Sequence, residues 1–255
     1  LNGNSLGPLT KNSQQRAQEV VREQWGKGLI ASWNTHAWID LPFTAGEKIA
    51  TLIGAAQQQL VCCDSVSINL LKVLASCMQM QPTRNIILSQ KENFPTDLYV
   101  AQGLETLLGP TRCILRTVAE PELAQALDEE VAVLFLSQVN FRNGDKHDIE
   151  RLTSLAKARG ILVVWDLSHS VGVLPLKMDE WEVDFAVGCG YKYLNGNQMG
   201  LADAKFSYFG MLVNICSIYF DGRSTCSKEN TLVWAYLKRV TMTIEYQTST
   251  GFLWV

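Results

Sequence analysis

Two uninterrupted apolar runs, VAVLFL at 131–136 and ILVVW at 161–165, limit what this chain can fold into. A strand that is apolar at every position has no face to give to water, so it must lie in a sheet covered on both sides. Helical patterns separate these runs from others like them. The chain reads as helix near Asn69 to Met80, strand Asn85 to Ser89, helix Asp97 to Leu108, strand Cys113 to Val118 and helix Pro121 to Asp128. It continues as strand Val131 to Ser137, helix Asp148 to Arg159 ended by Gly160, strand Ile161 to Asp166 and strand Asp184 to Gly190. This alternation predicts a three-layer α/β domain around a mostly parallel sheet.

Two helices are expected ahead of that alternation. Residues 10–28 place Ala17, Val20, Val21 and Trp25 at helical spacing. Thr44-Ala45-Gly46-Glu47 reads as a capping box opening a helix with Ile49, Leu52, Ile53, Ala56 and Leu60 inward.

At 255 residues and 47% hydrophobic, the chain can bury a sizeable core. Its 22 basic and 25 acidic residues are mixed along the sequence, so no basic footprint for nucleic acid or an anionic membrane is expected, and a small-molecule partner is. Seven cysteines, without a C-x-x-C, fall mostly in apolar stretches, which points to a reducing compartment and away from structural zinc or another metal. No apolar run has the length of a membrane span, and LNGNSLGPLT lacks the charged-then-apolar order of a signal peptide. The expectation is a cytoplasmic protein whose given sequence starts just inside a folded region.

In parallel sheets ligands sit beyond the carboxyl ends of the strands. Ser137, Asp166 and the Gly190-Tyr191-Lys192 stretch all lie at such ends, so one crevice could collect them. A lysine behind an apolar strand and a glycine is well placed to form a Schiff base, because burial favours a neutral, nucleophilic amine. Asp166 suits the carboxylate that pairs with a protonated ring nitrogen, and His169 can stack on or hydrogen-bond to that ring. The stretch Asp64 to Asn69 offers hydroxyls and helix-start amides for a phosphate. Taken singly each has an ordinary reading: Lys192 as a solvated charge, Asp166 as a turn cap, His169 as a structural histidine, Ser65 and Ser67 as helix caps. Together, in this order, they describe one ligand, pyridoxal phosphate.

The motifs GNSLG at 3–7, SWN and WIDLP within 32–42, DSVSINL at 64–70, NFPTD at 93–97, LSQVNFRNG at 136–144, WDLSHSVGVLP at 165–175 and DFAVGCGYKYLNG at 184–196 resemble kynureninase. That family belongs to the aspartate-aminotransferase-like, fold type I pyridoxal phosphate enzymes. The resemblance implies that Lys192 binds the cofactor covalently and acts as base, that Asp166 pairs with the pyridinium nitrogen, and that His169 lies beside the ring while Phe94 stacks on it. It implies that Val66, Ser67 and Tyr191 hold the phosphate, that Thr96, Asp97 and Ser137 complete the shell, and that Ser5 and Trp33 line the substrate side. Tyr191 is also placed to shuttle a proton. The implied reaction cleaves the Cβ–Cγ bond of L-kynurenine or 3-hydroxykynurenine, giving anthranilate or 3-hydroxyanthranilate and L-alanine. The implied setting is a homodimer in tryptophan catabolism and NAD biosynthesis.

The pattern breaks after Gly196. Residues 1–196 read as the N-terminal segment and cofactor-binding large domain, 197–250 as an insertion of uncertain structure, and 251–255 as a resumed strand, with the family's smaller C-terminal domain missing. Two other readings stay open: an inactive cofactor-binding fragment, and a related fold type I enzyme such as an aminotransferase or cysteine desulfurase. A desulfurase needs a mobile-loop cysteine in its own motif, and Cys216 and Cys226 offer no such context.

Overall fold

A computed structural model describes residues 4–196 and, by backbone alone, 216–220. The sheet has seven strands: β1 (Leu60–Cys62), β2 (Ile86–Gln90), β3 (Ile114–Val118), β4 (Val131–Ser137), β5 (Leu162–Asp166), β6 (Phe185–Cys189) and β7 (Cys216–Phe220). Their order is β1-β7-β6-β5-β4-β2-β3. Strands β2 to β6 pair in parallel, and β7 runs antiparallel between β6 and β1. The expected mostly parallel sheet is therefore present, and its continuous apolar runs are buried at every position of β4.

Both faces are covered. On one, residues of α3 (Leu41–Ile53) and α6 (Ile149–Lys157) share a core with Leu134, Leu136, Val163, Trp165 and Ala186. The intervening residues Val133, Phe135, Val164 and Val187 point to the opposite face and are buried too. There α4 (Val66–Met80) contacts β4, β5 and β6, and α5 (Pro95–Leu108) packs on α4 and β3. Fully burying one Leu or Phe side chain contributes about 1.5–3 kcal/mol, so these strand runs stabilise the fold substantially.

Helix α4 follows from its sequence. Ser65 caps it by accepting from the Ile68 N–H at 3.3 Å, and Leu70, Val73, Leu74, Cys77 and Met78 repeat at helical spacing on its buried face. Helix α5 opens on Pro95, which lacks the N–H that a first turn leaves unused. Helix α6 is capped by Asp148, accepting from the Arg151 N–H at 3.0 Å, and the chain leaves it through Gly160 at φ +68°.

Several expectations change. Helix α1 (Lys11–Glu19) gives way to a π-helix, Val20–Gly28, whose wider turn buries Val20 and Gln24 and leaves Val21 and Trp25 exposed. A short helix α2 (Ser32–Thr35) follows. Helix α3 starts at Leu41 rather than after Thr44, because Pro42 suits its first turn; Thr44 donates back to the Asp40 carbonyl instead of capping. Leu52 is exposed, Ala56 lies in the loop beyond the helix, and Leu60 belongs to β1. The helix expected over 121–128 shrinks to a 3-10 turn, Glu120–Glu122, a segment too short to sustain a regular ladder. Of the expected insertion at 197–250, the described part is β7; the rest, and the strand at 251–255, lie outside the described residues.

Candidate active site

The parallel register brings the carboxyl ends of β4, β5 and β6 to one edge, with Ser137 directly opposite Asp166 and Asp166 opposite Val187. Beyond that edge lies a cavity of about 530 Å³, open mouth included. It is lined by Ser65, Val66 and Ser67 from the start of α4, by Phe94, Thr96 and Asp97 from the start of α5, and by Asp166, Ser168, Tyr191 and Lys192. Eight residues read as cofactor-binding thus meet in one place.

The remaining two adjoin them. Ser137 donates through its hydroxyl to Asp166 Oδ2 at 3.2 Å and lies 3.5 Å from Asp97 Oδ2. His169 Nε2 is 2.9 Å from Lys192 Nζ, and its ring meets that of Phe94 edge-on at 6.3 Å. Lys192 is 7% exposed, and its Nζ stands 5.6 Å from the centre of the Phe94 ring. Burial, then the charge of Lys192, holds His169 below the ordinary histidine range, so an unprotonated imidazole faces the Lys192 Nζ.

At the back of the cavity two buried carboxyl groups face each other. Asp166 Oδ1 accepts from the Ser168 N–H at 2.9 Å and the Ser168 hydroxyl at 2.5 Å. Asp97 is pushed up to about 9, first by burial, then by the negative charge of Asp166 and a hydrogen bond with it; Lys192 and Ser137 pull the other way. Asp97 therefore keeps its proton at neutral pH and shares it with Asp166. An unfolded Asp97 ionises near 3.8, so the unfolded chain holds fewer protons above that pH and stability falls as pH rises toward 9. Thermal melts of the cofactor-free chain are expected to show that decline, and Asp97→Asn to flatten it and melt higher near pH 8. A lower melting temperature for Asp97→Asn at that pH contradicts this account.

Two residues with a part in the site carried no assigned role in the sequence. Ser168 fixes the Asp166 carboxylate, and the D-x-S spacing of an Asx turn was its signal. Asn93 is 5% exposed; its Oδ1 accepts from the Ser137 N–H at 3.1 Å and the Phe94 N–H at 2.8 Å, tying β4 to the start of α5. The two residues read as lining the substrate side are not among those that line this cavity. Ser5 is exposed in an N-terminal strap whose Gly7 touches Tyr191, and Trp33 packs on Val20, Trp38 and Leu41.

An amine, a carboxyl pair, aromatic rings and a helix N-terminus around one cavity fit a ring that carries an aldehyde, a basic nitrogen and a phosphate. Comparison with known proteins agrees. The chain is 46% identical over 203 residues to the kynureninase of Pseudomonas fluorescens, covering 77% of this chain and 48% of that protein. It is 45% identical over 201 residues to the kynureninase of Burkholderia mallei (strain SAVP1), with the same shares covered. The chain thus spans about half the length of the curated relatives it matches. Among solved structures, C-DES with glycine covalently linked to the PLP cofactor superposes with a TM-score of 0.70 at 15% identity, covering 86% of this chain and 56% of that one. A cysteine desulfurase from Thermococcus onnurineus NA1 gives 0.65 at 18% identity, covering 87% and 53%. These two show the fold alone. Residues 37–201, more than half of the chain, match the family described as Aminotransferase class-V, and the chain belongs to that family.

Proposed function

We propose that this chain binds pyridoxal phosphate and hydrolyses the Cβ–Cγ bond of L-kynurenine, or of 3-hydroxykynurenine, releasing anthranilate or 3-hydroxyanthranilate and L-alanine. The observation that carries this reading is the buried Lys192 amine, set against His169 in the cavity that also holds Asp166 and the start of α4. The kynureninase-like sequence around those residues supplies the substrate.

When bound, pyridoxal phosphate supplies an aldehyde that condenses with amines and a ring that takes up electron density from the adjacent substrate carbon. Lys192 would offer the amine that meets that aldehyde, and the same amine would hold and move the proton at Cα. Asp166 would keep a proton on the ring nitrogen, and Ser168 and Ser137 orient its two oxygens. The amides at the start of α4, with Val66 and Ser67, and the Tyr191 hydroxyl would hold the phosphate. Phe94 would stack on the ring and His169 would lie beside it. Tyr191, next to the lysine, also passes protons. Thr96, Asp97 and Ser137 close the shell, and Ser5 and Trp33 are assigned to the substrate side.

In this reading residues 1–196 form the N-terminal segment and large domain, 197–250 an insertion and 251–255 a resumed strand. The protein acts as a cytoplasmic homodimer in tryptophan catabolism and NAD biosynthesis. Among the described residues no helix is long and apolar enough to cross a membrane. The purified chain, given pyridoxal phosphate and L-kynurenine, is expected to develop anthranilate fluorescence with an equal yield of L-alanine. Cofactor retained without anthranilate favours a binding-only chain, and no retention contradicts the proposal outright.

A further inference from the structure

We infer that Gly7, in the N-terminal strap, is a positioning residue for the turn that carries Lys192; the inference rests on the proposal that this lysine is the cofactor-binding amine. The turn spans 190–196 and contains neither helix nor strand. It is closed by the Gly196 N–H donating to the Gly190 carbonyl at 2.7 Å and the Asn195 N–H donating to the Lys192 carbonyl at 3.2 Å, with Asn195 at φ +55°. Its shape therefore depends on what presses against it.

Gly7 presses against it. Its N–H donates to the Tyr191 carbonyl at 2.7 Å. A Cβ at residue 7 would stand 2.3 Å from the Lys192 carbonyl oxygen, 2.5 Å from Asn195 Oδ1 and 2.9 Å from Asn195 Cα. Two of these three atoms are backbone, so strap or turn must move. Gly172, at φ +92°, makes a second close approach: a Cβ there would lie 2.9 Å from Leu194 Cδ2 and 3.3 Å from the Tyr193 carbonyl. Beside Gly7, Leu6 is 44% exposed and Leu9 65% exposed. Apolar burial at Leu6 and Leu9 therefore contributes little to holding the strap, and the Gly7 contact ties it to the turn, with α1 beginning directly behind at its Thr10 cap. Lys192 Nζ reaches His169 Nε2 at 2.9 Å, so displacing the turn breaks that contact and misplaces the amine.

The test uses the full chain with Gly7→Ala, with residues 1–8 deleted, and with Gly103→Ala as control, since a Cβ at residue 103 meets nothing within 4 Å. The deletion removes the strap without adding a clash, so it decides the matter where Gly7→Ala fails to fold. Two readouts are taken: amide hydrogen exchange across 190–196 in the cofactor-free chain, and the rate at which pyridoxal phosphate becomes fixed to the protein by borohydride. Faster exchange at 190–196 in the strap variants, with capture slowed by about tenfold or more, is expected, the control matching wild type. Unchanged exchange in the deletion variant overturns the inference, and so does a rise that extends through β4 and β5, which marks general unfolding. A wild-type chain that captures no cofactor, yet whose turn loosens when the strap is altered, overturns the cofactor reading and leaves the strap's action on the turn standing.

Discussion

Lys192→Ala is expected to abolish covalent retention of pyridoxal phosphate and to lower turnover of kynurenine by about 10⁴-fold, the upper end of what one positioned acid–base group contributes. The size follows from asking one amine to serve both as the group that meets the aldehyde and as the base at Cα. The fold should survive. Lys192 is buried, but its hydrogen bond runs to a His169 already held unprotonated, so truncation leaves one neutral nitrogen without its partner. That costs about 1–3 kcal/mol. Kinetics with kynurenine, together with the mass of the protein after borohydride treatment, check both halves. Substantial turnover with no mass added in the variant would remove Lys192 from the chemistry.

Asp166 separates stability from function. Asp166→Ala strips the acceptor from the Ser168 N–H, the Ser168 hydroxyl and the Ser137 hydroxyl in a site 4% exposed. Each buried donor left unsatisfied costs about 1–3 kcal/mol, so a large fall in melting temperature is expected. Asp166→Asn keeps the oxygen that accepts from Ser168 and removes the charge that opposes ionisation of Asp97. It is expected to melt at or above the wild-type temperature, to lower the pH at which Asp97 ionises, and still to lose about 10²–10³-fold in turnover, the effect of removing one electrostatic partner from a reacting centre. Melts and steady-state kinetics on the two variants check this. Full activity in Asp166→Asn would mean that the carboxylate has no role at the ring nitrogen, whatever the stabilities.

The parts of the fold legible in the sequence are those where one pattern dominates. VAVLFL and ILVVW admit no amphipathic alternative, and β4 and β5 match their expected positions to within one residue. Helix α6 stops before Gly160 as expected, and Asp148, at the expected start of the helix, caps it. The failures are local contests. At the start of α3, Pro42 outweighs the capping box at Thr44, and at Val20–Gly28 a π-helix turns Val21 and Trp25 outward although their spacing suits an α-helix. Strand β1 is three residues long and, among the described residues, pairs with β7, so its partner lies more than 150 residues away. Such pairing leaves no local trace.

The site divides in the same way. Asp166 and Lys192 stand out because charge at the end of an apolar strand is costly unless it is used. Ser168 and Asn93 do not, because a serine or an asparagine in a loop looks like any turn residue until the groups it bonds are known. Gly7 is harder still. Its importance lies in the side chain it lacks, and in a contact with Tyr191 that is remote in sequence.

The central claim, that the amine of Lys192 is the chemical focus of this cavity, is tested most directly by locating the label. The chain is incubated with pyridoxal phosphate, reduced with borohydride and digested, and the modified peptide is sequenced by mass spectrometry. One phosphopyridoxyl group on Lys192 and on no other lysine is the expected result. Labelling at Lys72 or Lys146 with Lys192 untouched, or no stable label, would contradict it.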